Sequence, residues 1–131
     1  MQSTPPIPSV SKAALWSGRI MSALPVLMLL FSGVMKFIPS PQLEEGFKHL
    51  ELPVGMAFGL GVLELACTAV YLIPRTAVLG AILLTGYLGG ALLTHLRVGD
   101  AYGMQVVLGV FLWGGLYLRD PRLRALIPLV R

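Results

Sequence analysis

Four apolar runs, at about residues 13–37, 52–73, 76–96 and 102–118, constrain this chain more than anything else in it. An α-helix rises 1.5 Å per residue, so about 20 apolar residues cross the ~30 Å hydrocarbon core of a bilayer. Each run approaches that length, and the fourth is the shortest. Between Ile20 and Met35 the first run carries no charge at all. A period-two alternation, the mark of barrel strands, is missing, and Gly and Pro separate the runs. Of the 131 residues only 12% are charged, against roughly a quarter in an ordinary soluble domain. Too little polar material remains to coat a water-soluble fold. The sequence therefore predicts an all-α integral membrane protein, a four-helix transmembrane bundle forming one domain over residues 13–131, after a Pro- and Ser-rich flexible tail at 1–12.

Charge placement fits that fold. The formal net charge is +4 and the pI near 9.6, yet no basic stripe interleaved with aromatics marks a nucleic-acid surface. Nucleic acid is accordingly excluded as a partner, and the lipid bilayer takes its place. Lys12, Arg19, Arg75, Arg119, Arg122, Arg124 and Arg131 fall at one set of run ends, and Lys36, Lys48 and Arg97 at the other. The positive-inside rule then puts both termini in the cytoplasm. A secretory signal peptide competes for the first run, but no A-x-A site follows LMLLFSG, which favours an uncleaved span.

The connection PSPQLEEGFKHLELP (Pro39–Pro53) is the longest. Ser40 is placed to cap a helix, Pro41 to open it, and Glu44 and Glu45 to face its positive end. Leu43, Phe47 and Leu50 share one face and Glu44, Lys48 and Glu51 the other, predicting a short amphipathic helix on the membrane surface between the first two spans. Small residues suggest where spans touch: a G-x-x-x-G at Gly55/Gly59, a Gly86–Gly90–Thr94 stripe, and Gly109, Gly114 and Gly115. Pro25 predicts a kink in the first span.

Against this background the carboxylate in LGVLELACTAVYLIP (residues 60–74) is anomalous. Glu64 lies ten residues before Pro74, ~15 Å along a helix and near the bilayer centre. Facing lipid there, it would cost about 2.5–3.5 kcal/mol or more. It is expected to face the bundle interior. Tyr87, twelve residues past Arg75 on the next span, reaches a similar depth of ~18 Å. Tyr87, Ala91 and His95 form one stripe toward the outer end, where Lys36 closes the first span one turn after Ser32. Lys36, Glu64, Tyr87 and His95 are thus candidates for one internal polar cavity, with Arg97 beside them. Each also has a plainer role. Lys36 and Arg97 can snorkel to headgroups, His95 can sit at the interface, and Tyr87 can be a core aromatic. Cys67 is alone, so it forms no internal disulfide and no C-x-x-C; it reads as a small buried hydrophobe. No metal set is encoded.

The stretches FSGVMKF, LELACTAVYLIPRTAVLGAILLTGYLGGALLTHLRVG and LWGGLYLRDPRLRAL resemble the DoxX-like family of small bacterial membrane proteins, over about Leu15–Leu126. The resemblance implies a four-helix protein of the bacterial inner membrane, with Lys36, Glu64, Tyr87, His95 and Arg97 at the family's characteristic polar positions. It also implies a link to thiosulfate:quinone oxidoreductase activity in founding relatives, and to redox complexes or assembly roles in others. Three functions compete. The first is a membrane subunit or interaction/assembly protein whose polar cavity takes a lipid-like ligand or a partner, such as a membrane or redox protein. The second is a quinone-linked oxidoreductase component, with Glu64, Tyr87 and His95 holding a quinone head group. The third is a small proton- or ion-coupled transporter or channel using Glu64, which needs a homo-oligomer because four tightly packed spans leave little room for a pore. No cofactor motif decides among them, and the first is the leading expectation.

Overall fold

A computed structural model describes residues 9–130. It contains six α-helices: α1 (Lys12–Met35), α2 (Pro41–His49), α3 (Ala57–Leu72), α4 (Ala77–Arg97), α5 (Gly103–Arg119) and α6 (Pro121–Leu126). Of the 1–12 tail, residues 1–8 lie outside the described residues, as does Arg131. Among the described residues there is no strand. Three helical segments, Lys12–Met35, Val54–Leu72 and Pro74–Arg97, are long and apolar enough to cross a membrane; Gly103–Arg119 is apolar and shorter.

Local chemistry sets the boundaries. The Ser11 hydroxyl accepts from the Ala14 amide and starts α1, which continues through Pro25. Ser40 caps α2 by accepting from Leu43 N–H, with Pro41 in its first turn and Glu44 beside its positive end. Two helix ends share one stop. Glu51 (φ 59°) lets Leu52 N–H return to the Phe47 carbonyl, and Gly99 (φ 79°) lets Asp100 N–H return to His95. Glycine is the natural residue for that left-handed turn, and Glu51 occupies it at some cost.

The four long helices run antiparallel in sequence order, each packed on two neighbours: α1 on α3 and α5, α4 on the same two. Large apolar side chains point outward all round, among them Ile20, Leu27, Phe31, Phe58, Ile82, Leu93 and Val110. A water-soluble monomer does not display a continuous apolar belt of this kind. Inside lie smaller or polar groups: Ser22, Glu64 and Thr68 are buried with Leu29, Cys67, Tyr71, Leu84 and Leu112. Thr68 and Thr85 satisfy their hydroxyls within their own helices, donating to the carbonyls of Glu64 and Ala81 (both 2.7 Å).

The close approaches match the small-residue positions on α5 but not those before and on α3 or on α4. A Cβ at Gly55, Gly59, Gly86 or Gly90 would meet nothing within 4 Å. Contact falls as expected on Gly114, against Met21, and on Gly115, paired with Gly18, where a side chain would strike Ser22 and the Gly18 carbonyl. It falls also on Gly80, which the spacing did not single out and which lies against the Tyr71 backbone. Sequence reading also missed α6. Asp120 caps it through Arg122 N–H (2.9 Å) with Pro121 in the first turn, and Leu123 is buried.

Candidate functional site

Glu64 is only 2% exposed, on the face of α3 that packs against α1. Its Oε1 lies 3.3 Å from Lys36 Nζ and 3.4 Å from Ser32 Oγ. Lys36, at the end of α1, folds back one turn instead of snorkelling: Nζ also donates to Ser32 Oγ (2.8 Å) and to the Ser32 carbonyl (3.4 Å). The three groups close a triangle that neutralises the carboxylate. Gly33 makes room for it, since a Cβ there would stand 3.0 Å from Oε2 and closer still to Leu65. Oε2 itself is buried and has no hydrogen-bond donor among the described residues.

The triangle lies at the edge of a cavity of about 650 Å³, within the range of ligand sites. Tyr87 and His95 from α4 line it with Lys36 and Glu64, as do Gly86, Gly90 and Thr94. The small-residue stripe on α4 therefore shapes a space rather than a helix contact. Tyr87 comes within interaction range of the Glu64 carboxylate, without an aligned hydrogen bond to Oε2. His95 Nδ1 lies 2.8 Å from the Ala91 carbonyl, which only accepts, so this nitrogen carries the proton. Gln105 of α5, which sequence reasoning did not single out, also lines the cavity, and its Oε1 is likewise buried without a partner among the described residues. A lone Gln near a span end gives little warning of this. Gln42 of α2 adds an exposed amide, and the remaining walls are mostly apolar, including Met28, Leu29, Leu60, Leu63 and Leu108.

Helix α2 covers one end of this space with Leu43, Phe47 and Leu50. Phe47 is buried, while Glu44, Lys48 and Glu51 on the opposite face are exposed, the division that the spacing predicts. Arg97 is not among the lining residues. Its guanidinium donates to the Leu50 carbonyl (2.6 Å), placing a cation on the negative end of α2. One residue before that carbonyl, His49 Nε2 donates to the Asp100 carboxylate at 2.8 and 2.9 Å. Arg97 and Asp100 thus tie α2 to the end of α4.

A second polar cluster was not foreseen. Tyr71 donates to the Leu112 carbonyl (2.7 Å), meets Ser22 Oγ at 2.9 Å and accepts from Arg119 at 3.2 Å. It joins α1, α3 and α5 with every group satisfied, which suits a structural fastening better than a site. Cys67 is buried as a free thiol in the same core. Among the described residues no group of three or more His, Cys, Asp or Glu side chains is gathered for a metal.

The model of the DoxX-like family matches residues 20–115, a narrower stretch than the sequence resemblance, but one that holds Lys36, Glu64, Tyr87, His95, Arg97 and Gln105. No curated protein and no solved structure matches.

Proposed function

The chain belongs to the DoxX-like family, and from that premise we propose that it is a four-span membrane subunit or assembly protein whose cavity receives the polar end of a lipid-like amphiphile. In this reading α5 is the fourth span. Its 17 residues reach about 26 Å, with Tyr102 and Tyr117 near its two ends as interface anchors. The termini, with Arg75 and the α6 arginines, lie on the cytoplasmic face of a bacterial inner membrane. Helix α2 rests on the opposite surface as a roof, its apolar face turned to the ligand's chain.

One observation carries the reading: a fully buried carboxylate, half of it held by Lys36 and Ser32 and the other half without a donor, beside a cavity whose other walls are mostly apolar. Such a group is expensive at mid-bilayer and marks a functional site. Native mass spectrometry of gently extracted protein tests it. A retained amphiphile in the wild type, lost from a Glu64→Ala variant that is less stable but still unfolds cooperatively above the measuring temperature, is the expected outcome. Ligand retained undiminished by that variant refutes the role given to Glu64. The retained mass also identifies the occupant as lipid, quinone or protein.

A further inference from the structure

The hydrogen-bond inventory of the cavity restricts the head group. Lys36 Nζ lies within reach of three acceptors, as many as it has protons: Ser32 Oγ at 2.8 Å, Glu64 Oε1 at 3.3 Å and the Ser32 carbonyl at 3.4 Å. Ser32 passes its own proton to the same Oε1. The one lysine or arginine among the described residues that line the cavity is therefore already paired with a carboxylate and less available to an incoming anion. Glu64 Oε2, in contrast, is an acceptor buried without a donor.

Tyr87 places a hydroxyl within interaction range of that carboxylate, able to donate to Glu64 or to a ligand. At the α5 wall, Gln105 Nε2 is 3.3 Å from His95 Nδ1, whose proton already goes to Ala91. Two donors do not bond each other. Turning the Gln105 amide over makes its oxygen a second acceptor for that proton and leaves its NH2 as the buried end without a partner.

Resting on the amphiphile reading above, we propose that the head group taken by this cavity is neutral and hydroxyl-bearing, donating to Glu64 Oε2 and accepting from Tyr87 or Gln105. A carboxylate head brings a second negative charge to Glu64 and no proton to donate. An ester or ketone head brings acceptors only and leaves Oε2 unmet. A vicinal diol on a single acyl chain supplies both roles at once.

Three chain-matched probes separate these cases: monoolein, oleate and methyl oleate, titrated against the full chain in detergent micelles and read by native mass spectrometry. Monoolein is expected to bind the wild type at least about tenfold more tightly than methyl oleate or oleate, the ratio that one hydrogen bond to a buried charge carries. In Glu64→Gln, which frees the Lys36 charge, oleate is expected to overtake monoolein. Oleate or methyl oleate matching monoolein on the wild type overturns the inference but leaves the amphiphile reading standing. Failure of all three to bind overturns both. The wild-type ranking decides the matter even where the variant does not fold.

Discussion

Lys36 Nζ and Glu64 Oε1 meet at 3.3 Å across the α1–α3 interface, with Lys36 only 16% exposed and Glu64 2%. Two ionisable side chains, far apart in sequence and each costly in lipid, neutralise one another. Breaking such a pair from one side leaves an uncompensated buried charge, at about 3–5 kcal/mol, whereas replacing both with apolar groups of similar size is far less harmful. Lys36→Met and Glu64→Leu are each expected to lower unfolding stability in bicelles by that order. The double variant is expected to recover most of the loss. Losses that simply add in a double-mutant cycle would show the two groups to be independent.

Gly80 has no room for a side chain, because a Cβ there would run into the Tyr71 backbone, which cannot yield as a flexible side chain does. Gly80→Ala is expected to cost about 1–3 kcal/mol by pushing α3 from α4. Gly59→Ala meets nothing within 4 Å and is expected to be neutral or to gain up to about 1 kcal/mol of helix propensity. Thermal unfolding of the two variants side by side checks the contrast, and the opposite order would restore the G-x-x-x-G motif as the packing element.

Helix α2 is held at its C-terminal end by Arg97 on the Leu50 carbonyl and by Asp100 on His49. Arg97→Ala is expected to speed amide exchange across residues 41–50 while leaving α3 protected. Glu51→Gly is expected to do the reverse, because glycine accepts the φ of 59° without strain, and to add up to about 1 kcal/mol. Hydrogen exchange read by mass spectrometry reports both. Unchanged exchange in α2 on loss of Arg97 would show that the contact does not hold the roof.

Asp120 links α5 to α6 outside the spans. Burial pushes its carboxyl up, but the Arg122 side chain and amide, the Arg122 charge and the Leu123 amide together hold it below its ordinary value of 3.8. A depressed folded-state value means that the cap's contribution is present above about pH 4 and is lost as pH falls through the folded value. Asp120→Ala is expected to cost about 1 kcal/mol at neutral pH and to lose that difference in strong acid. Unfolding midpoints of both proteins across pH 2–7 check it, and a pH-independent gap would contradict the assignment.

How much of this was readable in advance depends on which force set each feature. Capping and amphipathic spacing are local, so Ser40, Pro41 and the Leu43–Phe47–Leu50 face foretold α2. Depth along a helix is a count of residues, so Glu64 and Tyr87 could be matched across two spans. Rotation of a span about its own axis is another matter. A span that is apolar on every side does not declare which face packs and which meets lipid. For that reason Gly59 and Gly86 seemed as good as Gly115, Gly80 was passed over, and the Tyr71–Ser22–Arg119 cluster went unseen. Gln105 and the inward fold of Lys36 depend on those same rotations.

The central claim is that Glu64 turns inward onto Lys36 within the bilayer, and one spectroscopic contact reports it. Protein carrying ¹³C at the Glu side-chain carboxyls and ¹⁵N at the Lys Nζ, reconstituted in lipid, is examined by solid-state dipolar recoupling, with Glu64→Gln as the control that assigns the signal. A short-range ¹³C–¹⁵N contact that vanishes in Glu64→Gln is the predicted result. A Glu64 carboxyl signal with no contact to any lysine, polarised instead from the lipid acyl protons, would contradict it.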